Sequence, residues 1–269
     1  MQLFFQSYPE TDEVGADFRA PLVIIPGLFG STNNWRSFAR AMSEHYPVVV
    51  IDQRNHGRSE HADSHTFVDM SNDLLEFIDQ QDYKQIIPCG HSMGGKTAML
   101  FSLLHPERVK KLVVLDIAPV TYQHSHAPFL DELMKIDLAS LQSRRDAEAV
   151  LRAAIPDSAT RMFLLQSLAG SPGNYQWRLN LQALRQYIPE IVGFPDEILS
   201  NRVSDVATMM VFGEESEYVQ SQHYTKVLGY FPSAQFEGIP GASHWLHIDQ
   251  PQEVLETVLN FVQQGEKNE

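Results

Sequence analysis

Four short apolar runs, Leu22 to Ile25, Val48 to Ile51, Ile86 to Cys89 and Leu112 to Leu115, are separated by three stretches with helical spacing of apolar residues. Those stretches are Trp35 to His45, Phe67 to Gln80 and Met93 to His105. Several of the runs are β-branched and near-continuous, as expected of parallel strands buried on both faces. A strand, then a helix, then a strand, repeated, implies a mostly parallel sheet with helices packed on both faces. The N-terminal Leu3-Phe4-Phe5 reads as an antiparallel edge strand.

The alternation breaks after Asp116. Residues 119–203 carry helical patterns at Phe129 to Ile136, Arg144 to Ala154, Thr160 to Leu168 and Tyr175 to Tyr187, with no convincing strand. A segment that long is more than a loop. Strands resume near Val206, with a run from Met209 to Phe212. A helix near Val219 to Tyr230, a strand near Ala234 to Ile239 and a last helix from Pro251 to Gln263 follow. The expected organisation is a core made of 1–118 and 204–269, carrying a helical cap at 119–203.

Composition narrows the partners. The formal net charge is −14. Such a field repels nucleic acid and anionic membranes. There is one cysteine, Cys89, so no intrachain disulfide forms. With no charged-then-apolar N-terminal segment, a cytoplasmic location is expected. No apolar run is long enough to span a bilayer. Oligomeric state is not legible.

Gly90-His91-Ser92-Met93-Gly94 fits G-x-S-x-G and follows the run Ile86 to Cys89, with a helical pattern after it. That is the context of a nucleophile elbow: a sharp strand-to-helix turn that leaves a serine hydroxyl exposed above the sheet. The competing reading is an ordinary helix-capping serine. As nucleophile, Ser92 needs a base. His244, in the loop after the last expected strand, has the right place in the chain order serine, acid, histidine. His91 and His247 read as structural. The pairs His61 with His65 and His124 with His126 lack the further carboxylates or cysteines of a metal site, so no metal is expected.

PGLFGSTNNW, DQRNHGRS, GHSMGGKTAM, LDIAPV and the C-terminal GASHWLH together span nearly the whole chain. On these stretches the sequence resembles the α/β-hydrolase superfamily, and within it the YbfF-type bacterial esterases. The resemblance implies an eight-stranded sheet with a helical cap inserted after the sixth strand. It implies a cofactor-free carboxylester or thioester hydrolase acting on a small acyl ester, including short acyl esters or acyl-CoA. One oxyanion-hole N–H should be that of Met93, the residue after the nucleophile. By resemblance the other belongs to Leu28, in the loop after the first central strand. Pro26 stands where most relatives have histidine, so other groups must brace that loop. Asn55 replaces a glycine in the DQRNHGRS turn, and asparagine tolerates positive φ.

The acid is open at this level. The third residue after Gly213, where the superfamily usually places it, is Ser216. Glu214, Glu215 and Glu217 flank it. The alternative is Asp116, at the end of Lys111 to Leu115 and 24 residues after the nucleophile; by resemblance this is the acid of the YbfF-type esterases. Phe29, Trp177 and Trp245 are candidates for the substrate-binding wall. Lys96 and Arg178 are either solvent-reaching side chains or contacts to an anionic substrate. Other chemistry on the same fold, a carbon–carbon hydrolase or perhydrolase, stays open, and so does a non-catalytic binding protein.

Overall fold

A computed structural model describes residues 1–9, 20–123 and 125–265. Its centre is a seven-stranded sheet: β1 (Phe5–Tyr8), β2 (Leu22–Ile25), β3 (Val48–Ile51), β4 (Ile87–His91), β5 (Leu112–Leu115), β8 (Thr208–Gly213) and β9 (Gln235–Ile239). The strand order is β1-β3-β2-β4-β5-β8-β9. Only β1 runs antiparallel, pairing Phe5 with Ile51 and Tyr8 with Val48. The edge strand therefore begins where Leu3 to Phe5 was expected to end. Eight strands were expected; seven form this sheet among the described residues, and residues 10–19 lie outside them.

The continuous apolar runs are explained by burial on both faces. In β2, Leu22 and Ile24 join one hydrophobic cluster while Val23 and Ile25 join another. The first cluster packs against α1 (Arg36–Ser43) and α10 (Pro251–Gln263). The second lies under α2 (Phe67–Gln80) and α3 (Met93–Leu104). Every residue of α3 from Met93 to Leu103 is buried, so this helix is a core element rather than an amphipathic one.

The long insertion leaves after β5, the fifth strand described, and returns to β8. It carries α4 (Ala127–Met134), α5 (Arg144–Leu151), α6 (Ser158–Leu165) and α7 (Leu181–Val192). It is not wholly helical. β6 (Leu168–Ala169) and β7 (Gln176–Trp177) form a small antiparallel ribbon. Trp177 thus lies in a strand, where a helix from Tyr175 was expected, and α7 starts at Leu181. Asn180 sets that start, since its side chain accepts the Ala183 N–H. Its backbone N–H also donates to Asn55 O at 3.0 Å, tying the insertion to the loop after β3. After β8 come α8 (Ser221–Tyr230), then β9, then the one-turn α9 (Leu246–Asp249) ahead of α10.

Candidate active site

Only Ser92 separates β4 from α3. Its backbone has φ 53° and ψ −121°. A non-glycine residue in that region costs about 1–3 kcal/mol and persists only where its surroundings enforce it. Here the Ser92 N–H donates to Leu115 O at 3.0 Å, continuing the β4–β5 ladder past the strand end. The flanking glycines are sterically required. A Cβ on Gly90 would stand 2.2 Å from Gly94 O, and one on Gly94 would stand 2.1 Å from Ile25 O.

His244 lies in the loop between β9 and α9. Its Nδ1 is 2.7 Å from Asp116 Oδ2. Tyr218 stacks on the imidazole with ring centroids 3.9 Å apart and planes at 19°. His91 Nε2 donates to the His244 carbonyl at 2.9 Å. Burial, together with the neighbouring imidazoles, holds His91 well below the ordinary histidine range, so it is a neutral donor. The His244 ring is thus fixed by a carboxylate at its edge and a phenol on its face.

Asp116 is fully buried at the end of β5, with φ 50°. Its N–H donates to Val211 O at 2.8 Å, so β5 stays bonded to β8 through the turn. Its Oδ1 accepts the Gly213 N–H at 3.2 Å, and its Oδ2 accepts the Ser216 hydroxyl. Glu214, Glu215 and Glu217 are all exposed. Ser216 therefore donates to the carboxylate from the usual acid position. Spacing identified that position, but nothing in the sequence showed what the serine touches. Tyr218 carried no sequence signal at all.

Ser92 and His244 line one cavity of about 260 Å³. Its walls include Phe29, Trp35, Phe129, Phe163, Leu164 and Trp245. Among the described residues, no lysine, arginine, aspartate or glutamate lines it. Phe29 and Trp245 are therefore brought to the site, whereas Trp177 is not: it is half-buried and packs against the core from β7. Arg178 lines a separate, narrow cleft with Arg58. Phe163 and Trp245 meet edge to face at 4.5 Å, joining α6 to the histidine loop.

The loop after β2 packs directly on the elbow, since a Cβ on Gly27 would lie 3.0 Å from Ser92 Cβ. Leu28 and Met93 are buried, and their N–H groups have no protein acceptor among the described residues. The next N–H is engaged: Phe29 donates to His56 Nε2 at 3.1 Å, with Phe29 at φ 66°. His56 Nδ1 in turn donates to Arg54 O at 2.9 Å. Burial lowers the His56 pKa to about 4, which keeps Nε2 free to accept. Gln53 Nε2 donates to Pro26 O at 2.8 Å. His56 and Gln53 thus supply the bracing that Pro26 cannot. Asn55 adopts φ 64°, the conformation its substitution for glycine requires. Arg54 is buried in a two-pronged pair with Asp73 at 2.6 and 2.8 Å, a structural role.

Lys96 reaches neither solvent nor the main cavity. It is 1% exposed, and its Nζ donates to Val120 O, Val192 O and Gly193 O at 3.0, 2.8 and 2.6 Å. Burial pushes its pKa down to about 7, while carbonyl acceptors favour the charged form. His247 stacks on Trp35 at 3.9 Å, and its Nδ1 has no hydrogen-bond partner among the described residues. His61 is exposed and His65 buried against Met93 Sδ at 3.4 Å; His124 lies outside the described residues. Among the described residues no three metal-ligating side chains gather, and no helix is long and apolar enough to cross a membrane.

The chain is similar to several known proteins. A Danio rerio protein named sn-1-specific diacylglycerol lipase ABHD11 is 36% identical over 251 residues, covering 90% of this chain and 78% of that one. Esterase YbfF of Escherichia coli (strain K12) is 32% identical over 244 residues, covering 90% and 93%. A solved structure described as a marine microorganism esterase superposes with a TM-score of 0.89 at 36% identity, covering 97% of this chain and 99% of that one. The family model described as the alpha/beta hydrolase fold matches residues 20–251, a span that takes in the elbow, the buried aspartate and the histidine loop, and the chain belongs to that family.

Proposed function

We propose that this chain is a serine ester hydrolase that works through an acyl-enzyme on Ser92, with His244 as base and Asp116 as the acid that holds it. The observation carrying the reading is the 2.7 Å contact between His244 Nδ1 and the buried Asp116 carboxylate, in a cavity that Ser92 also lines. Asp116 keeps the proton on Nδ1, so Nε2 is free to take the Ser92 proton as Oγ attacks the ester carbonyl. The tetrahedral oxyanion is stabilised by the N–H groups of Leu28 and Met93, and a missing donor of this kind costs about 10²–10³ in kcat. His244 then protonates the departing alcohol. Water, deprotonated by the same nitrogen, cleaves the acyl-enzyme and regenerates the serine. Every step uses side chains and backbone of this chain, with no cofactor.

The substrate class that fits is an uncharged carboxylic ester. The cavity wall is mainly aromatic and aliphatic, and among the described residues no lysine or arginine lines it to meet a phosphate. The Danio rerio relative, named for diacylglycerol, points the same way. A thioester is chemically within reach of the same residues, but the phosphates of an acyl-CoA meet no lysine or arginine among the described residues that line this cavity. The segment 119–203 serves as a cap, because α4 and α6 supply Phe129, Phe163 and Leu164 to the wall around the reacting carbonyl.

The test is the Ser92→Ala variant with a fluorophosphonate probe and two substrate panels. Wild type should be labelled stoichiometrically and Ser92→Ala not at all, with hydrolysis falling by roughly 10⁴–10⁶ in a folded protein. Uncharged p-nitrophenyl esters should give higher kcat/KM than acyl-CoA thioesters of equal chain length. Near-wild-type turnover by folded Ser92→Ala removes the mechanism; a preference for acyl-CoA removes the substrate reading alone.

A further inference from the structure

Lys96 stands four residues after Ser92, and its N–H bonds the Ser92 carbonyl at 3.2 Å. Its side chain crosses to the insertion. Val120 lies on the stem that leaves β5, while Val192 and Gly193 end α7 on the stem that returns. The three protons of one ammonium meet one carbonyl of the outgoing stem and two of the returning stem. The α7 carbonyls are the orphan acceptors of a helix C-terminus, where partial negative charge favours a cation. Tyr122 presents its ring 4.8 Å from Nζ, and its N–H donates to Val192 O at 3.0 Å. Asp196 is the carboxylate acting on the amine from longer range.

A buried ammonium is expensive, and an apolar side chain of similar length would fill the same volume at lower cost. What the ammonium does that a hydrocarbon does not is bond both stems at once. Those stems form the walls of a second, small cavity of about 20 Å³ beside the nucleophile. Ile117 and Tyr122 come from the outgoing stem and Ile191 and Val192 from the returning one. Lys96 lines it too, and it meets the main cavity at Leu28, Ser92, His126 and Tyr218.

We propose that Lys96 is a positioning residue: by pinning both stems of the insertion to the nucleophile helix, it fixes the width of the small cavity beside Ser92 and so sets the size of the ester group accepted there. The main cavity holds the larger half of the substrate, and the small one admits a short group against Ile117 and Ile191. This rests on Ser92 being the nucleophile; the clamp itself does not.

Four proteins test it: wild type, Lys96→Met, which keeps the length and removes the ammonium, Lys96→Arg, and Ile191→Ala, which widens the small cavity while leaving in place the Ile191 carbonyl that also lies 3.5 Å from Nζ. In Lys96→Met, amide hydrogen exchange at 117–122 and 190–194 should accelerate at least about tenfold over wild type, as local opening becomes easier. Against p-nitrophenyl esters, the ratio of acetate to butyrate kcat/KM should fall about tenfold in both variants, the scale set by one or two methylenes in a tight pocket. Lys96→Arg, which keeps the charge, should restore part of the stem protection. Unchanged exchange in a folded Lys96→Met overturns the clamp. An unchanged acetate-to-butyrate ratio in Ile191→Ala overturns the size-setting role, and that arm stands even where Lys96→Met fails to fold. Loss of the nucleophile reading is seen separately, as absence of fluorophosphonate labelling in wild type, while the exchange measurement still reports on the clamp.

Discussion

Asp116 meets His244 with one carboxylate oxygen, and that same oxygen also takes the Ser216 hydroxyl. As the proposed acid it is fully buried and strained, so its replacement has a sharp expected signature. Asp116→Asn should lower kcat by something like 10³–10⁴ while circular dichroism and melting stay near wild type, because the amide presents the wrong tautomer partner. Glu217→Gln, at an exposed position, should change turnover less than twofold, as surface substitutions away from a site do. The reverse pair of results would move the acid to the loop after β8. Ser92 and His244 were legible as candidates because a local pattern and the chain order suffice to name them. The choice of acid was harder to read. It depends on β5 and β8 lying side by side, which brings Gly213 and Ser216 onto the Asp116 carboxylate across about a hundred residues of chain. Tyr218 shows the limit: which ring covers His244 is decided by the course of a loop, and loops leave no periodicity to read.

The strands and helices of the core were legible because each run of four or five buried residues needs both faces covered. The ribbon of β6 and β7 was not. Two residues per strand are too few to show alternation, and Trp177 fits a helical pattern equally well until its partner Leu168 is known. The same ribbon takes Trp177 away from the cavity and leaves α6 to supply the wall. The insertion-side wall of the main cavity is therefore supplied in part by α6, and the half of the substrate held there should depend on it. Phe163→Ala removes the ring that meets Trp245, opening the main cavity on the insertion side. It should shift the best acetate ester toward longer alcohols, with a change in relative kcat/KM of about tenfold, while Trp177→Ala leaves the ranking alone. A chain-length profile measured on both variants decides between them.

Over the whole molecule the buried histidines set an acid limit. Burial holds His56 at about 4 and His247 at about 3, and keeps His65 and His91 well below the usual histidine value. The unfolded chain takes up these protons near pH 6.5, while the folded chain refuses them until its own lower values are reached. Between those limits the unfolded state binds more protons, so stability falls as pH drops from about 6.5 toward 4. For His56 the drop from 6.5 to about 4 corresponds to roughly 3 kcal/mol over that span. Melting temperature should decline steadily from pH 7 to pH 4, and His247→Phe, which keeps a ring against Trp35, should flatten the decline. An unchanged slope would show that His247 carries none of it. The chain departs at β5 and comes back at β8, its immediate neighbour, and the departing and returning segments already touch at Tyr122 and Val192. Ends that meet ask little extra closure entropy of whatever is spliced between them, because that entropy grows only slowly with length. The sheet is thus a socket for interchangeable lids: an evolving lineage can trade one for another, and with it one substrate for another, while the strands that carry the reacting groups stay in register.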